Sequence, residues 1–248
     1  MEKTGICHIS CIPMRAGAGS TYEMVSQLLL GETYSVLQEE GDWLYIRLDF
    51  DGYMGWISLT QWCPKERETQ GTCVLTSSPV SFAVGKSNSV LTMGSELEHD
   101  SSKKEFLLKH SGEKVHLTAQ SAAQGTEELA RTLLGSPYLW GGRTFMGIDC
   151  SGFVQVVFKV KGIALPRDAK DQAQAGQTVA FLQEAVSGDL AFFDNGEGRI
   201  IHVGILLHAG EIIHASGMVR TDRIDHQGIV HTGTGKYTHR LRLIKRIG

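Results

Sequence analysis

One cysteine and two histidines are the residues of this chain best suited to chemistry. Cys150 lies in Ile148-Asp149-Cys150-Ser151-Gly152-Phe153, His202 opens His202-Val203-Gly204-Ile205-Leu206-Leu207, and His214 lies in Ile212-Ile213-His214-Ala215-Ser216. A thiol attacks an amide as its thiolate, and both a helix N-terminus and a neighbouring imidazole favour that form. Cys150 stands where a glycine-punctuated stretch gives way to a helical apolar pattern, so it meets the first condition. Asp149 is placed to cap the helix, and Gly152 leaves space around the first turn. A lone thiol is most often a core residue, but the polar flanks Asp149 and Ser151, with the buried face starting only at Phe153, favour a reactive one. With one imidazole as base and a second to orient it, the set could perform nucleophilic acyl transfer.

Whether the histidines can cooperate depends on the hairpin between them. Side chains alternate across a strand, so loop length decides which residues share a face. If His208-Ala209-Gly210 is a loop with Gly210 left-handed, Leu207 pairs with Glu211 and Gly204 with His214, and His202 becomes a diagonal neighbour of His214 on one face. A tighter Ala209-Gly210 turn would place the two on opposite faces and end the proposal.

The elements around these residues follow from periodicity. Thr126 to Gly135 has an acidic first turn, apolar residues at helical spacing and a terminal glycine, which predicts a helix. A second helix is expected from Cys150 to Val160, with Phe153, Val154, Val157 and Phe158 as its buried face and Gly162 as its stop. Asp189–Phe193, Ile200–Leu207, Ile212–Ala215 and Arg240–Ile247 read as strands. The C-terminal part is therefore α+β. From Gly5 to Trp62 the pattern is strand-like, with Thr33–Leu37 and Trp43–Leu48 among short runs separated by Gly, Asp and Glu. That region, ending in Gly52-Tyr53-Met54-Gly55-Trp56, resembles a bacterial SH3-like domain. Cys63 to Leu117 again reads as short strands, such as Thr72–Leu75 and Lys114–Leu117, and is expected to be a second, divergent barrel. The expected division is 1–64, 65–120 and 121–248.

Composition narrows the class. The chain has 248 residues and a formal net charge of −3, with basic residues dispersed, so the electrostatic footprint of a nucleic-acid binder is missing. The run Ile200–Leu207 is too short to span a bilayer. The opening Met1-Glu2-Lys3-Thr4-Gly5 lacks the apolar core of a signal peptide, although a processed start would look the same, leaving a cytoplasmic or an envelope location open. The 5 cysteines form no Cys-x-x-Cys pair, which argues against a disulfide scaffold. Cys7 and Cys11, alternating with apolar residues, are expected to be buried strand thiols.

Tyr138-x-Trp140-Gly141-Gly142, Asp149-Cys150-Ser151-Gly152-Phe153, Leu165-Pro166-Arg167-Asp168, Gly188-Asp189-Leu190, His202-Val203-Gly204-Ile205 and Ile213-His214-Ala215 resemble, in order, the motifs of the NlpC-type cell-wall cysteine peptidases. With the SH3-like region in front, the chain is similar to bacterial γ-D-glutamyl-L-diamino-acid endopeptidases, which share a papain-like core. The resemblance implies Cys150 as nucleophile, His202 as general base and His214 as the group orienting it. It implies Tyr138 beside the oxyanion site, with Asp149, Ser151 and Asp168 lining the substrate pocket. Packing under a glycine turn is the alternative for Tyr138, and a helix cap for Asp168. In relatives with SH3-like domains the first barrel captures the free amine of L-Ala; Tyr53 and Glu23 match the residues used, with a barrel aromatic and a solvated charge as their alternatives. Ala169 stands where relatives often carry serine. The implied substrate is a murein tripeptide or tetrapeptide with a free N-terminal L-Ala, cut between D-Glu and meso-diaminopimelate or L-Lys. An amidase or acyltransferase on the same core, and a non-catalytic wall-binding protein, are the competing readings.

Other signals carry less. Gly85-Lys86-Ser87 and Gly235-Lys236-Tyr237 echo a phosphate-binding loop, but Val80 and Val230 stand where its first glycine belongs. Lys103-Lys104 and Lys245-Arg246 read as solvated charge. His99, His110, His208, His226, His231 and His239 lack ligand spacing or a carboxylate partner, so surface or hairpin roles are expected. No metal, cofactor or obligate protein partner is implied.

Overall fold

The structure, a computed structural model, describes residues 3–69, 71–74, 80–84, 87–103, 105–115 and 125–248. Contacts divide the chain into two units: Met1–Ala122 with Trp140–Phe145, and Ala123–Leu139 with Met146–Gly248.

The first unit begins with strands β1 (Thr4–Ile6), β2 (Cys11–Arg15), β3 (Met24–Leu29), β4 (Thr33–Glu40), β5 (Trp43–Leu48) and β6 (Met54–Ser58), in spatial order β1-β4-β5-β6-β2-β3. Alternation sets the inner face: Ile12 and Met14 of β2, and Leu44, Ile46 and Leu48 of β5, join Leu28, Tyr34 and Ile57 in one apolar core. Gly55 of the Gly-Tyr-x-Gly-Trp run is there for space, because a Cβ would come within 2.5 Å of the Met14 side chain. Cys7 departs from expectation. It lies in the connection after β1, buried, with its thiol donating to the Ile9 carbonyl at 3.2 Å; Cys11 opens β2 and is only partly buried.

Five further strands and a short sixth follow in the same unit. β7 (Thr72–Val74), β8 (Val80–Val84), β9 (Ser87–Leu91), β10 (Glu96–Asp100), β11 (Glu105–Leu108) and β12 (Lys114–Val115) form a sheet of order β12-β11-β10-β7 and a separate β8-β9 hairpin. Leu30, Leu91, Leu97, Leu108 and Val115 make its small core. Leu75, His116 and Leu117 of the expected strands, with Lys86 and Lys104, lie outside the described residues. β13 (Arg143–Thr144) completes the unit. The fully buried Arg143 guanidinium grips the equally buried Glu32 carboxylate through two 2.9 Å bonds and donates to the Gln27 carbonyl at 2.6 Å. Such a bidentate, desolvated pair is strong in place and costly to break.

The second unit contains α1 (Thr126–Arg131), β14 (Gly147–Ile148), α2 (Cys150–Val160), α3 (Ala169–Gln172), β15 (Gln177–Val179), β16 (Leu190–Asp194), β17 (Ile200–Leu206), β18 (Glu211–Ser216), β19 (Met218–Ile224), β20 (Gly228–Val230) and β21 (Tyr237–Arg246). The sheet order is β15-β21-β16-β17-β18-β19-β20, and β20 also pairs with β21. The strands from β21 to β20 thus close into a ring, with β15 added outside. α1 stops at Arg131, short of the helix expected to Gly135, and the chain continues in turns to Gly135, which has φ +83°. α2 has the expected bounds but not the expected single buried face. Cys150 through Lys159 are all buried, including Gln155 and Lys159, so α2 is a central helix rather than an amphipathic surface one. Gln155 donates through Nε2 to the Leu165 carbonyl at 3.0 Å inside the core. β19 and β20 complete a mixed α+β unit whose sheet outweighs its helices. Among the described residues no helix is long and apolar enough to cross a membrane.

Candidate active site

Cys150 is the first residue of α2, and its position is fixed by the cap before it. Asp149 has extended backbone, φ −94° and ψ 177°, and its Oδ1 accepts from the Gly152 amide at 2.7 Å. The same carboxylate receives Arg167 through Nη1 at 3.0 Å and Nη2 at 2.6 Å, while Nη1 also donates to Ser151 Oγ at 2.8 Å. Asp149, Ser151 and Arg167 therefore form one buried polar cluster under the helix start. The surroundings of the thiol run against the expectation of a lowered pKa. Burial first, and then the Asp149 charge, push Cys150 up to about 12, against the opposing influence of the Val203 and Ser151 amides and of Arg167. Raised in this way, the thiol rests in its neutral form and would have to lose its proton to act as a nucleophile.

The groups that could deprotonate it come from β17 and β18. The connecting turn His208–Gly210 has Gly210 at φ +75°, Leu207 donates to the Glu211 carbonyl at 2.9 Å, and Gly204 pairs with His214. This is the looser of the two loop geometries, and it places both histidines on one face. His202 Nε2 lies 2.8 Å from His214 Nδ1, with the rings nearly perpendicular at 84°. Gly204 makes room for this pairing, because a Cβ there would come within 2.8 Å of His214 Cβ.

The chain of contacts does not stop at His214. His214 Nε2 lies 3.1 Å from Asp222 Oδ2 on β19, and Asp222 is held by the Thr232 amide at 2.7 Å and Arg220 Nη2 at 3.0 Å. Burial alone would raise the Asp222 carboxyl, but its hydrogen bonds from His214, Thr232 and Arg220 hold it well below the usual carboxylate range. An ionised carboxylate only accepts, so proton positions follow in sequence. His214 carries its proton on Nε2 and accepts on Nδ1; His202 donates from Nε2, and its Nδ1 is left with a free lone pair. Burial, with His239 and His214 adding to it, lowers the His202 pKa well below its ordinary value, so the ring is neutral. The thiol is bonded to the amide of Val203, next in sequence to His202, a neutral ring of defined tautomer.

The remaining expected residues divide between the units. Tyr138 is partly buried, and after burial itself the nearby Cys150 and Asp149 raise its hydroxyl pKa, which places that hydroxyl within electrostatic reach of the thiol. Asp168 precedes α3 and offers no side-chain cap bond. Its carboxyl, raised mainly by burial, stays partly accessible. Tyr53 and Glu23 belong to the first unit, where Tyr53 packs against the apolar core and Glu23 is exposed ahead of β3.

Asp222, Arg220, Arg167 and His239 were not among the residues singled out as site residues. Arg167 lies within Leu165-Pro166-Arg167-Asp168, and strand alternation continued past Gly217 leads to Asp222. His239 is partly exposed and lies on the paired strands β20 and β21, within the surface or hairpin role expected of it, but its ring also stacks on His202 at 4.1 Å between centroids and 23° between planes. Ring nitrogens of His202, His214 and His239 lie within 4.8 Å of one another, close enough to suggest a metal centre. The first two already bond to each other, and stacked rings direct their in-plane lone pairs side by side rather than toward one point about 2 Å from both. Asp222, His214 and His202 have the geometry of a proton relay, and His239 stacks beside it.

Comparison with known proteins agrees with this chemistry. Residues 135–238 match the NlpC/P60 family, and residues 14–61 match the bacterial dipeptidyl-peptidase Sh3 domain. A gamma-D-glutamyl-L-lysine dipeptidyl-peptidase of Bacillus subtilis is 34% identical over 77% of this chain and 72% of its own length. One of Bacillus cereus is 28% identical over 75% of this chain and 65% of its own length. The crystal structure of an NlpC/P60 family protein from Bacillus cereus superposes with a TM-score of 0.82 at 20% identity, covering 98% of this chain and 99% of that one, and so shares the fold. From the ordered motifs, the thiol at the start of α2, the paired imidazoles and this similarity, it follows that the chain belongs to the NlpC/P60 family of cysteine peptidases.

Proposed function

We propose that this chain hydrolyses the γ-D-glutamyl bond to a diamino acid, L-Lys or meso-diaminopimelate, in short murein peptides with a free N-terminal L-Ala, releasing L-Ala-D-Glu. The observation that carries the chemical part is the run of hydrogen bonds from Asp222 through His214 to His202, which leaves His202 Nδ1 as the free acceptor. Cys150 attacks the γ-carbonyl as His202 takes its proton. His202 then protonates the leaving amine, and water, activated by the same ring, cleaves the thioester. His214 orients the base. Tyr138 contributes to oxyanion stabilisation, and Asp149, Ser151 and Asp168 bound the substrate pocket. Asp149 and Ser151 do so chiefly through the Arg167 cluster that absorbs their polar atoms.

Two relatives named gamma-D-glutamyl-L-lysine dipeptidyl-peptidase support the substrate class. In this reading residues 1–64 and 65–120 are SH3-like modules, 121–248 is the peptidase domain, and Tyr53 and Glu23 receive the substrate ammonium, since a phenol and a carboxylate suit a cation. The test is hydrolysis of L-Ala-γ-D-Glu-L-Lys, its diaminopimelate counterpart, and the N-acetylated form of each, with products read by mass spectrometry. Release of L-Ala-D-Glu from at least one free peptide, and at least tenfold slower release from its acetylated form, is expected. No release from either free peptide would refute the substrate, and equal cleavage of acetylated peptide would refute the ammonium site.

A further inference from the structure

The role of His202 in the proposed reaction leaves one neighbour unexplained. His202 is 5% exposed, and its ring meets three others: His214 edge-on, Phe193 tilted at 5.7 Å, and His239 stacked at 4.1 Å. His239 itself stands edge-on to Phe193 at 5.9 Å and to His214 at 5.8 Å, and its Nδ1 is 2.9 Å from Thr238 Oγ1. It is partly exposed and also lines an open cavity of about 560 Å³ with His226, Gln227, Tyr237 and Arg240. His239 is thus the one member of this aromatic cluster, among the described residues, that has His202 on one side and open space on another.

A single hydrogen bond at Nε2 fixes the direction of the His202 ring but not its tilt about that bond. A flat neighbour at stacking distance resists tilting, and it excludes water that would compete for Nδ1. We infer that His239 is a positioning residue acting through His202: its stacked ring holds that imidazole so that Nε2 meets His214 while Nδ1 stays free and dry for the Cys150 proton. This rests on the proposed role of His202. Burial, with His214 adding to it, lowers His239 to about 4, against a small opposing pull from Asp222, so near neutral pH no second cation repels the imidazolium formed during attack. The titratable groups against His202 are His214 from β18 and His239 from β21, with Asp222 of β19 beyond His214, and Cys150 of α2 bonds to the amide of the adjoining Val203.

The experiment compares wild type with His239→Ala, His239→Phe and His239→Asn in two assays. One is steady-state hydrolysis of the murein peptide. The other is the rate of Cys150 alkylation by iodoacetamide between pH 5 and 9, read on the Cys150 peptide by mass spectrometry. His239→Ala is expected to lower kcat about 10-fold with KM nearly unchanged, and to slow alkylation at pH 7 by about the same factor. His239→Phe, which keeps a neutral stacked ring, is expected to return both to within about 3-fold of wild type. Wild-type behaviour of His239→Ala in both assays overturns the inference. So does rescue by His239→Asn but not by His239→Phe, since that would assign the effect to the Thr238 hydrogen bond. Alkylation needs no substrate, so a wild type that cleaves no murein peptide would refute the proposed substrate while the comparison among His239 variants still decides this one.

Discussion

At the scale of single residues, the site is organised by proton positions more than by a pre-formed ion pair. The Cys150 thiol is pushed up and His202 pushed down, so both are neutral before attack. Two predictions follow from this pairing. First, the base must be unprotonated, and its depressed pKa moves the point of inactivation to lower pH; the acid limb of kcat/KM is expected below pH 6.5, with activity lost only as pH falls through the His202 pKa. An acid limb at or above pH 6.5 would contradict the direction of the His202 shift. Second, Asp222→Asn puts an amide where His214 needs an acceptor-only partner, permitting the opposite tautomer and removing the His202 acceptor. By analogy with loss of the carboxylate in a serine triad, kcat is expected to fall about 10²- to 10⁴-fold with KM little changed, measured on the folded variant. A fall under about 3-fold would show that His214 is oriented by other means.

At the scale of elements, the β17–β18 hairpin is the part of the site that the sequence specified most directly. Gly210 supplied the left-handed turn residue, and alternation then placed Gly204 opposite His214 with His202 on the same face. The Asp149 cap and the bounds of α2 were equally readable from local pattern. Asp222 and His239 were not. Asp222 reaches His214 from the next hairpin, and His239 reaches His202 only because β21 pairs with both β16 and β20 and closes the ring of strands, with a register shift between Phe192 and Phe193. Such long-range pairing leaves no local periodicity to read. The burial of α2 on all sides was also hidden, since Gln155 and Lys159 look like solvent positions until their surroundings are known. Gly204 gives the hairpin its own prediction. Gly204→Ala would drive a methyl group to within 2.8 Å of His214 Cβ, so the variant is expected to fold but to lose at least about 10-fold in kcat. Unchanged kcat would show that the hairpin absorbs the methyl group without moving the relay.

At the scale of the whole molecule, the buried histidines link activity to stability. His202 and His239 titrate lower in the folded chain than the ordinary histidine value of 6.5, with His239 at about 4. Between the folded and unfolded pKa values the unfolded chain binds more protons, so stability rises with pH across that interval. Their contribution is therefore complete above about pH 6.5 and is lost as pH falls toward 4 and below. From these rings the expected melting temperature is flat from pH 6.5 to about 8 and declines below pH 6.5, while above about pH 8 the raised Cys150 thiol lowers it again. A melting temperature that rises between pH 6.5 and 5 would contradict the neutral, buried state of these rings. The second unit is also not continuous in sequence: the chain leaves it after Leu139 and returns at Met146, and the intervening Arg143 is locked to Glu32 in the first unit. The segment that leads into Cys150 thus begins from a buried ion pair seven positions earlier in the chain.

In the proposed function Cys150 is the nucleophile of a murein-peptide hydrolase. Release of L-Ala-D-Glu from L-Ala-γ-D-Glu-L-Lys and from its diaminopimelate counterpart by wild type and by Cys150→Ala tests it most directly. Release by wild type from at least one of the two peptides, and none detectable from the variant, is expected, with both proteins equally folded by circular dichroism; equal release by the two proteins would exclude Cys150 as the nucleophile.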